Sequence, residues 1–514
     1  MPEKPSADQV QIRLHPQGST LQVPRGTPLQ EILFEHGVEF PCGGHGRCKG
    51  CRVRILSGDA PWTPEEEQIL SRAELADGWR LACRSRASGD VTLEIRQWEA
   101  AILADHSSFR FKPGEGLGIA VDLGTTTLAA QLLDLATGDV LAVRTGLNPQ
   151  AAYGSDVMSR IQYALSPDGQ PRLEKLIRGG IDDLILGLLS AAGGGREIRD
   201  VVLVGNTVMH HLFCGIDIAP LAHYPFEPTK DGLEIMDSAD LGWNIPGSPP
   251  VRFLPCLGGF VGSDILAGII ASGMHESREL AALIDLGTNG EIVLGNRDRM
   301  LCASTAAGPA FEGARIRMGM QATTGAISAV EVSDGTHHCR VLGGGPARGI
   351  CGSGLVDAVA VGLKQRTIRP NGRFVEGLRE WTLAPNVALY QSDIRELQLA
   401  KAAIAAATHL LLLRWQAERG DVRHVYLAGA FGNYVDRSSA RRIGLIDFPY
   451  QIVEPSGNTA LLGAKMVLCN SDLTDDFAEL RRRIRHVPLA ADPLFEDSFV
   501  DCMGFPEPGA QDEH

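Results

Sequence analysis

The sequence predicts a multidomain protein of mixed α+β and α/β class, with a small β-rich module first, then a linker, then a large domain of two related lobes. Three observations carry that expectation. Cys42, Cys48, Cys51 and Cys83 have the spacing of a metal-cluster loop. The stretch IAVDLGTTTLAA from Ile119 to Ala130 has a second copy, ALIDLGTNGEIVLG from Ala282 to Gly295, so the same D-L-G-T turn twice interrupts a pair of apolar strands. A chain of 514 residues is also too long for one ordinary core.

The module opens with two alternating strands, Val10 to Leu14 and Thr20 to Val23, around His15 to Gly18. Thr27 is placed to cap a short helix, with Pro28 at its first position, Gln30 closing a capping box, Leu29, Ile32 and Leu33 on one face, and Gly37 at its end. Two strands and a helix are how a ubiquitin-like β-grasp fold of the ferredoxin type begins. Five, two and 31 residues then separate the four cysteines. Plant-type [2Fe-2S] ferredoxins use C-x4-C-x2-C with a distant fourth cysteine, and the extra residue here resembles the adrenodoxin-like branch. Four thiolates supply two ligands to each iron, and Gly43, Gly44, Gly46 and Gly50 let the loop wrap a cluster. Zinc is the competing occupant, but its structural sites usually pair two short C-x2-C knuckles, and here the fourth cysteine stands alone. His45 reads as a solvated loop residue, because four cysteines complete the set. Beyond Arg52 to Leu56, Thr63 and Pro64 open a second capped helix with Glu66 closing the box. Trp79 to Cys83 and Val91 to Ile95 complete the sheet. Arg47, Lys49, Arg52, Arg84 and Arg86 crowd the cysteines, either to guide an acidic redox partner or as ordinary charged surface.

Glu99 to Gly116, with Pro113, Gly114 and Gly116, reads as a linker between a module of residues 1–98 and a large domain of residues 117–475. The halves of that domain fall at about 117–278 and 279–475, and residues 476–514 form a tail. In the first turn Gly124 lets backbone approach an anion, Thr125 and Thr126 offer hydroxyls and amides to phosphate, and Asp122 is placed to hold a hydrated Mg2+. Asp285, Gly287, Thr288 and Asn289 repeat this, so a nucleotide would lie between two facing halves; a plain structural turn is the alternative. Strand-like His424 to Leu427 runs into Ala428, Gly429, Ala430, Phe431 and Gly432, where glycines let backbone lie against purine and ribose.

Elsewhere in the large domain, Asp200 to Gly205 is a buried strand, Asn206 and Thr207 read as helix caps rather than catalysts, and His210 and His211 point to different faces. CASTAAGPAFEG, from Cys302 to Gly313, is a run of small residues. It makes Ser304 and Thr305 candidates for touching a partner or its cofactor, with a close-packed turn as the alternative. Gly352, Ser353 and Gly354 open a helix and belong either to the nucleotide cleft or to a tight turn. Gly457 to Leu468 reads as a hinge helix. Phe495, Phe499 and Met503 lie on one helical face, so the tail is expected to pack back on the domain.

A net charge of −14 argues against a general nucleic-acid binder. The start, MPEKPSADQV, lacks an apolar core of signal-peptide length, and Leu397 to Trp415 carries Lys401, His409 and Arg414, so it reads as a buried helix rather than a membrane span. A cytoplasmic protein with no membrane partner is expected, and eleven mostly scattered cysteines fit reduced thiols.

The paired turns and LAGAFG resemble the phosphate and adenosine motifs of the superfamily that holds actin, sugar kinases and heat-shock chaperones. Joined to the cysteine loop, and with CASTAAGPAFEG and ARGICGSG in order between them, they resemble the reductive activators of corrinoid proteins over nearly the whole chain. That resemblance implies a β-grasp [2Fe-2S] ferredoxin-like domain on Cys42, Cys48, Cys51 and Cys83, followed by a two-lobed actin-like ATPase domain that binds ATP and Mg2+, with Asp122 and Asp285 as its catalytic carboxylates. It implies a corrinoid methyltransfer protein as partner, rescued by one electron that returns Co(II) to Co(I), and an upstream low-potential electron donor; a homodimer stays open. Some members insert a separate domain where this chain has only a short linker, which bears on inter-domain geometry and not on the sites. Two other classes share the motifs: a small-molecule kinase with a regulatory cluster, and a nucleotide-gated redox sensor that passes no electron to cobalt.

Overall fold

The computed structural model describes residues 9–15, 20–34, 38, 51–58, 61–94, 111–154, 156–193, 196–287, 289–313, 315–320, 322, 325–342, 345–432, 434–470 and 477–507. In the N-terminal module, β1 (Gln9–His15) alternates so that Val10, Ile12 and Leu14 are buried. It pairs antiparallel with β2 (Thr20–Pro24), Val10 opposite Val23. α1 (Leu29–Phe34) lays Leu29, Ile32 and Leu33 on the same core. With β3 (Arg52–Gly58), helix α2 (Arg72–Ala76), β4 (Trp79–Leu81) and β5 (Val91–Glu94), the sheet order is β2-β1-β5-β3-β4. β1 and β5 run parallel at its centre, which is the expected β-grasp.

Two local expectations change. The Thr27 hydroxyl donates to the Pro24 carbonyl at 2.7 Å instead of capping, and Pro28 bridges to Arg86, so the helix starts at Leu29; Gly37 lies outside the described residues. The Thr63–Glu66 box does form, with Thr63 N–H donating to Glu66 Oε2 at 2.7 Å and Glu66 N–H to the Thr63 hydroxyl at 3.4 Å. It opens only a single 3-10 turn, Glu66–Gln68. The end of the expected linker is also anchored. Lys112 N–H donates to the Cys469 carbonyl at 3.3 Å, and Gly114 N–H to the Leu135 carbonyl at 2.8 Å.

The first lobe starts as a meander of β6 (Leu117–Leu123), β7 (Thr127–Asp134) and β8 (Val140–Leu147), then crosses through α3 (Val157–Ala164) and α4 (Gly169–Ala191) to β9 (Ile198–Gly205), parallel to β6. α5 (Thr207–Cys214), β10 (Glu234–Asp237), β11 (Pro250–Phe253) and α6 (Ser263–Ser272) complete it. The second lobe repeats the plan with β12 (Ala281–Leu286), β13 (Gly290–Gly295) and β14 (Met300–Thr305). A small sheet of β15 (Ala326–Ser333), β16 (Thr336–Val341) and β17 (Gly349–Ile350) is inserted before α7 (Gly352–Lys364). The hairpin β18 (Glu380–Ala384) and β19 (Val387–Tyr390) leads into α8 (Gln391–Trp415). β20 (His424–Ala428), α9 (Gly429–Gly432), α10 (Arg437–Arg442), β21 (Val453–Gly457), α11 (Thr459–Cys469) and β22 (Ile484–His486) close the lobe.

The two sheet orders, β10-β11-β9-β6-β7-β8 and β21-β20-β12-β13-β14-β22, share a five-strand core in which β6 matches β12 and β9 matches β20. The duplicated turn is therefore the trace of a duplicated fold. α8 passes the length and hydropathy test for a membrane span, yet 67% of its most apolar window is buried inside the protein, as the charges along it predict.

α6 and α11 cross between the sheets. Ala120, Val204, Leu266, Leu283, Val293, Leu461 and Val467 form one core that both lobes share with these helices. The crossing is close because glycine sits at it. A Cβ on Gly463 would stand 2.1 Å from the Ala267 carbonyl oxygen, and one on Gly268 would stand 2.9 Å from a Leu283 methyl and 3.0 Å from the Thr459 hydroxyl. Gly463→Ala is expected to cost about 1–3 kcal/mol, the usual range for overpacking. Gly287→Ala, whose methyl would meet nothing nearer than 3.7 Å, should stay within about 1 kcal/mol of wild type. Thermal unfolding of the two variants checks the contrast.

Candidate functional site

Asp122 and Asp285 occupy the same place in the two lobes, the penultimate residue of β6 and of β12. Four carboxylates gather there. Asp264 lies in the first turn of α6, and Glu291 pairs with Asp285 across β12 and β13. Asp122, Asp264 and Asp285 keep part of their surface, whereas Glu291 is buried. Withdrawal from water raises the Asp122 carboxyl to about 6, against a hydrogen bond from Asn458 that lowers it. Desolvation and then Asp122 raise Asp285 to about 7. Desolvation, then Asp285 and Asp122, raise Asp264 to about 8. Glu291 is pushed well above its ordinary value by burial first and then by Asp264 and Asp285. The cluster is short of positive charge.

Neutral hydrogen-bonding groups aim these acids. Asn458 caps α11 by accepting from Leu461 N–H at 2.8 Å, and its Nδ2 donates to Asp122 Oδ2 at 2.8 Å. Asn206 caps α5 by accepting from Met209 N–H at 3.0 Å, while its Nδ2 donates to the Thr125 hydroxyl at 2.9 Å. The expected cap thus has a second task at the phosphate turn. Sequence reasoning missed Asp264, Glu291 and Asn458. The signal for two of them was present, because GSDILAG from Gly262 and GNTALLG from Gly457 are two copies of one helix start with glycines six apart.

The adenosine-type turn reaches the same place. Gly429 has φ +85°, which glycine adopts without strain, and a Cβ there would stand 2.7 Å from Asp285 Oδ1. Ala430 and Gly432 follow on the one-turn helix α9. In the second phosphate turn Gly287 N–H donates to the Asn289 carbonyl at 3.0 Å, and Thr288 lies outside the described residues. Thr126 is half-buried in the first turn and Gly124 packs against the Thr127 carbonyl.

The small-residue candidates separate. Ser304 donates to Glu291 Oε1 at 3.1 Å and so faces the carboxylate cluster of the cleft, whereas Thr305, buried opposite Gly290, lies on the other face of the sheet beside Ile404 of α8. Gly352 and Ser353 open α7 in a packing role. A Cβ on Gly352 would stand 1.9 Å from the Phe311 carbonyl oxygen, and the Ser353 hydroxyl donates to the Ser328 carbonyl at 2.8 Å. His210 and His211 are fully buried. Among the described residues, no group of three or more His, Cys, Asp and Glu stands together in a way that holds a metal ion.

In the N-terminal module, Cys42 and Cys48 lie outside the described residues. Cys51 precedes β3 and Cys83 follows β4, and their Sγ atoms are 3.3 Å apart. That exceeds the ~2.05 Å of a disulfide and lets both sulfurs reach one metal at thiolate bond lengths of about 2.3 Å. Fully buried Glu66 braces the second of them: its Oε1 accepts from Leu81 N–H at 2.6 Å and from the Ser85 hydroxyl at 3.3 Å, on either side of Cys83.

Three family models tile the chain. Residues 12–88 match the 2Fe-2S iron-sulfur cluster binding domain, residues 117–277 the RACo middle region, and residues 279–513 the C-terminal domain of RACo, the ASKHA domain. The chain is 34% identical to the corrinoid activation enzyme RamQ of Eubacterium limosum in an alignment 413 residues long that covers 74% of this chain and 69% of that protein. It is 28% identical to the [Co(II) methylated amine-specific corrinoid protein] reductase of Methanosarcina barkeri over 74% of this chain and 76% of the relative. A solved structure of a reductive activator for corrinoid, iron-sulfur protein aligns over 97% of this chain and 98% of its own, at 27% identity and a TM-score of 0.69. A cluster-binding β-grasp module followed by a duplicated ATPase fold, with these relatives along its length, places the chain in the family of reductive corrinoid activators.

Proposed function

We propose that this protein uses ATP to reactivate a corrinoid protein by reduction. The observation that carries the reading is the joining, on one chain, of paired cluster-type cysteines and a cleft in which four carboxylates converge from two lobes. In this reading Cys42, Cys48, Cys51 and Cys83 hold the [2Fe-2S] cluster. When bound, it supplies one electron that takes the partner's Co(II) to Co(I), and an upstream low-potential donor returns that electron.

Gly124, Thr125 and Thr126 receive phosphate from one lobe, and Gly287, Thr288 and Asn289 from the other. Gly429, Ala430 and Gly432 take the adenosine, while Asp122 and Asp285 orient a hydrated Mg2+. Plant-type clusters lie near about −400 mV. A cobalt centre ~150 mV lower makes the step uphill by ~3.5 kcal/mol, at about 2.3 kcal/mol per 100 mV for one electron. Such a step needs a driven change of state. Closure of the lobes on ATP supplies it if the closed form binds the corrinoid protein differently, because a ligand shifts an equilibrium only through differential affinity.

The direct test mixes the protein, a reductant, ATP and a corrinoid partner and follows the cobalt optical spectrum. Co(I) should form only with ATP, Cys83→Ser should form none, and Asp122→Ala should lower the ATP-dependent rate about 100-fold or more, the scale of removing one charge-stabilising group. Equal rates in Asp122→Ala and wild type would remove ATP from the mechanism.

The raised carboxyls give a second test. An unfolded aspartate titrates near 3.9 and Asp264 in the cleft at about 8. Between those values the folded protein holds the extra proton, so this contribution to stability falls as pH rises toward 8. Asp264→Asn should therefore raise the melting temperature of nucleotide-free protein at pH 8 by a few degrees, with the gain shrinking as the pH is lowered toward 5. A variant that melts lower than wild type at pH 8 would contradict the charge argument.

A further inference from the structure

The largest fully buried side chain among the described residues is a cation, Arg160, with no exposed surface. Its position follows from local sequence. Asp156 caps α3 in a reciprocal box, accepting from Ser159 N–H at 2.9 Å while its own N–H donates to the Ser159 hydroxyl at 3.2 Å, so Arg160 falls in the first turn of α3. From there it reaches under the first phosphate turn. Nη2 donates to the Thr125 carbonyl at 2.5 Å, Nε to the Gly154 carbonyl at 2.9 Å, and Nη1 to Gln150 Oε1 at 3.3 Å, with Met209 Sδ at 3.6 Å. All four partners are uncharged. Asp156 opposes the charge only through space, and burial lowers the guanidinium to about 10, which leaves it protonated at neutral pH.

Asn148, 1% exposed, completes the arrangement. Its Nδ2 donates to the Gly124 carbonyl at 2.9 Å, and its backbone N–H donates to the Thr126 carbonyl, also at 2.9 Å. Every carbonyl of Gly124, Thr125 and Thr126 is thus drawn toward the interior of the lobe by Asn148 or Arg160. In a planar trans peptide the N–H points opposite to the C=O. The amides of Thr125 and Thr126, which share peptide planes with the first two of those carbonyls, are turned the other way, as in backbone nests that bind anions.

We propose that Arg160 and Asn148 are positioning residues that hold the first turn as a preformed receptor for the nucleotide's phosphates, with the buried guanidinium adding its positive field from behind. The inference rests on reading the cleft as an ATP site, and it assigns the phosphate-specific part of the affinity to this pair. Arg160 touches no substrate in this arrangement; it acts through the peptide groups of the turn.

The test compares full-length wild type, Arg160→Met, Arg160→Lys and Asn148→Ala for binding of a non-hydrolysable ATP analogue with Mg2+ and, separately, of adenosine. The cluster spectrum and melting curve of each report folding. Loss of charged hydrogen bonds should weaken the triphosphate about 10- to 100-fold in Arg160→Met, with a smaller loss in Arg160→Lys and adenosine affinity within about 2-fold of wild type. A purely structural role would lower both affinities together, and that outcome, or an unchanged triphosphate affinity, overturns the proposal. Should the methionine variant not fold, Arg160→Lys and Asn148→Ala carry the same comparison. Wild type that binds neither ligand would instead overturn the ATP reading of the cleft.

Discussion

Withdrawal of four carboxyl groups from water inside a crevice is the constraint on which the ATPase domain depends, and neighbouring carboxyls add to it at Asp264, Asp285 and Glu291. Asp122 and Asp285 are the penultimate residues of equivalent strands of two lobes, close enough for the first to raise the second. Asp264 and Glu291 add to the same field. The two helices of the shared core meet it, because Asp264 opens α6 and Asn458, which binds Asp122, opens α11. Under the proposed function, a cation carried in with the nucleotide meets carboxyl groups held beside both helices. By linkage, whatever favours the state that the ligand prefers also strengthens the ligand's binding.

Much of this was legible in the chain. The repeated D-L-G-T turn announced two lobes, and the lobes do share one sheet order. Cysteine spacing announced a β-grasp module, and the parallel pairing of first and last strands delivers it. Hidden were the residues whose roles arise from pairing rather than from local pattern. Glu291 reads as one polar residue at the start of an apolar strand, and only the register that sets it beside Asp285 and Ser304 makes it part of a cluster. Arg160 was invisible for a related reason. Nothing local distinguishes an arginine on the solvent face of a helix from one laid against a turn 35 residues away. Asp264 was findable, because its helix start repeats that of Asn458.

In the small-residue run the structure adds a role within the chain to the partner contact expected of Ser304. Ser304 was singled out because small residues allow close approach, and the structure does use them so, but toward the neighbouring strand and the cleft. The tail is a comparable case. Its helix Pro493–Asp501 packs on α8, with Arg414 Nη2 bonding Asp492 Oδ2 at 2.5 Å and His409 facing the Ser498 hydroxyl at 3.2 Å. Before that helix, β22 adds a strand beside β14 while Arg481 pairs with Asp231 of the first lobe at 2.5 Å. A three-residue edge strand in a run of arginines has too few positions for alternation to be read. The sequence pattern therefore located the tail's packing helix and not its contact with both lobes.

The distribution of the cores limits how nucleotide and electron can be coupled. Among the described residues, the core of the N-terminal module is made of residues between Val10 and Leu93, whereas the large domain has its own cores, one of them shared by the two lobes. Interiors are close-packed, and strain passes through shared packing. Under the proposed function, closure of the lobes bears first on the core that holds α6 and α11, which is separate from the one that supports Cys51 and Cys83. Under the proposed function, the uphill electron step is made possible at the acceptor's end, through what the closed lobes bind, while the cluster keeps one potential set by its own loop and by the buried brace at Glu66.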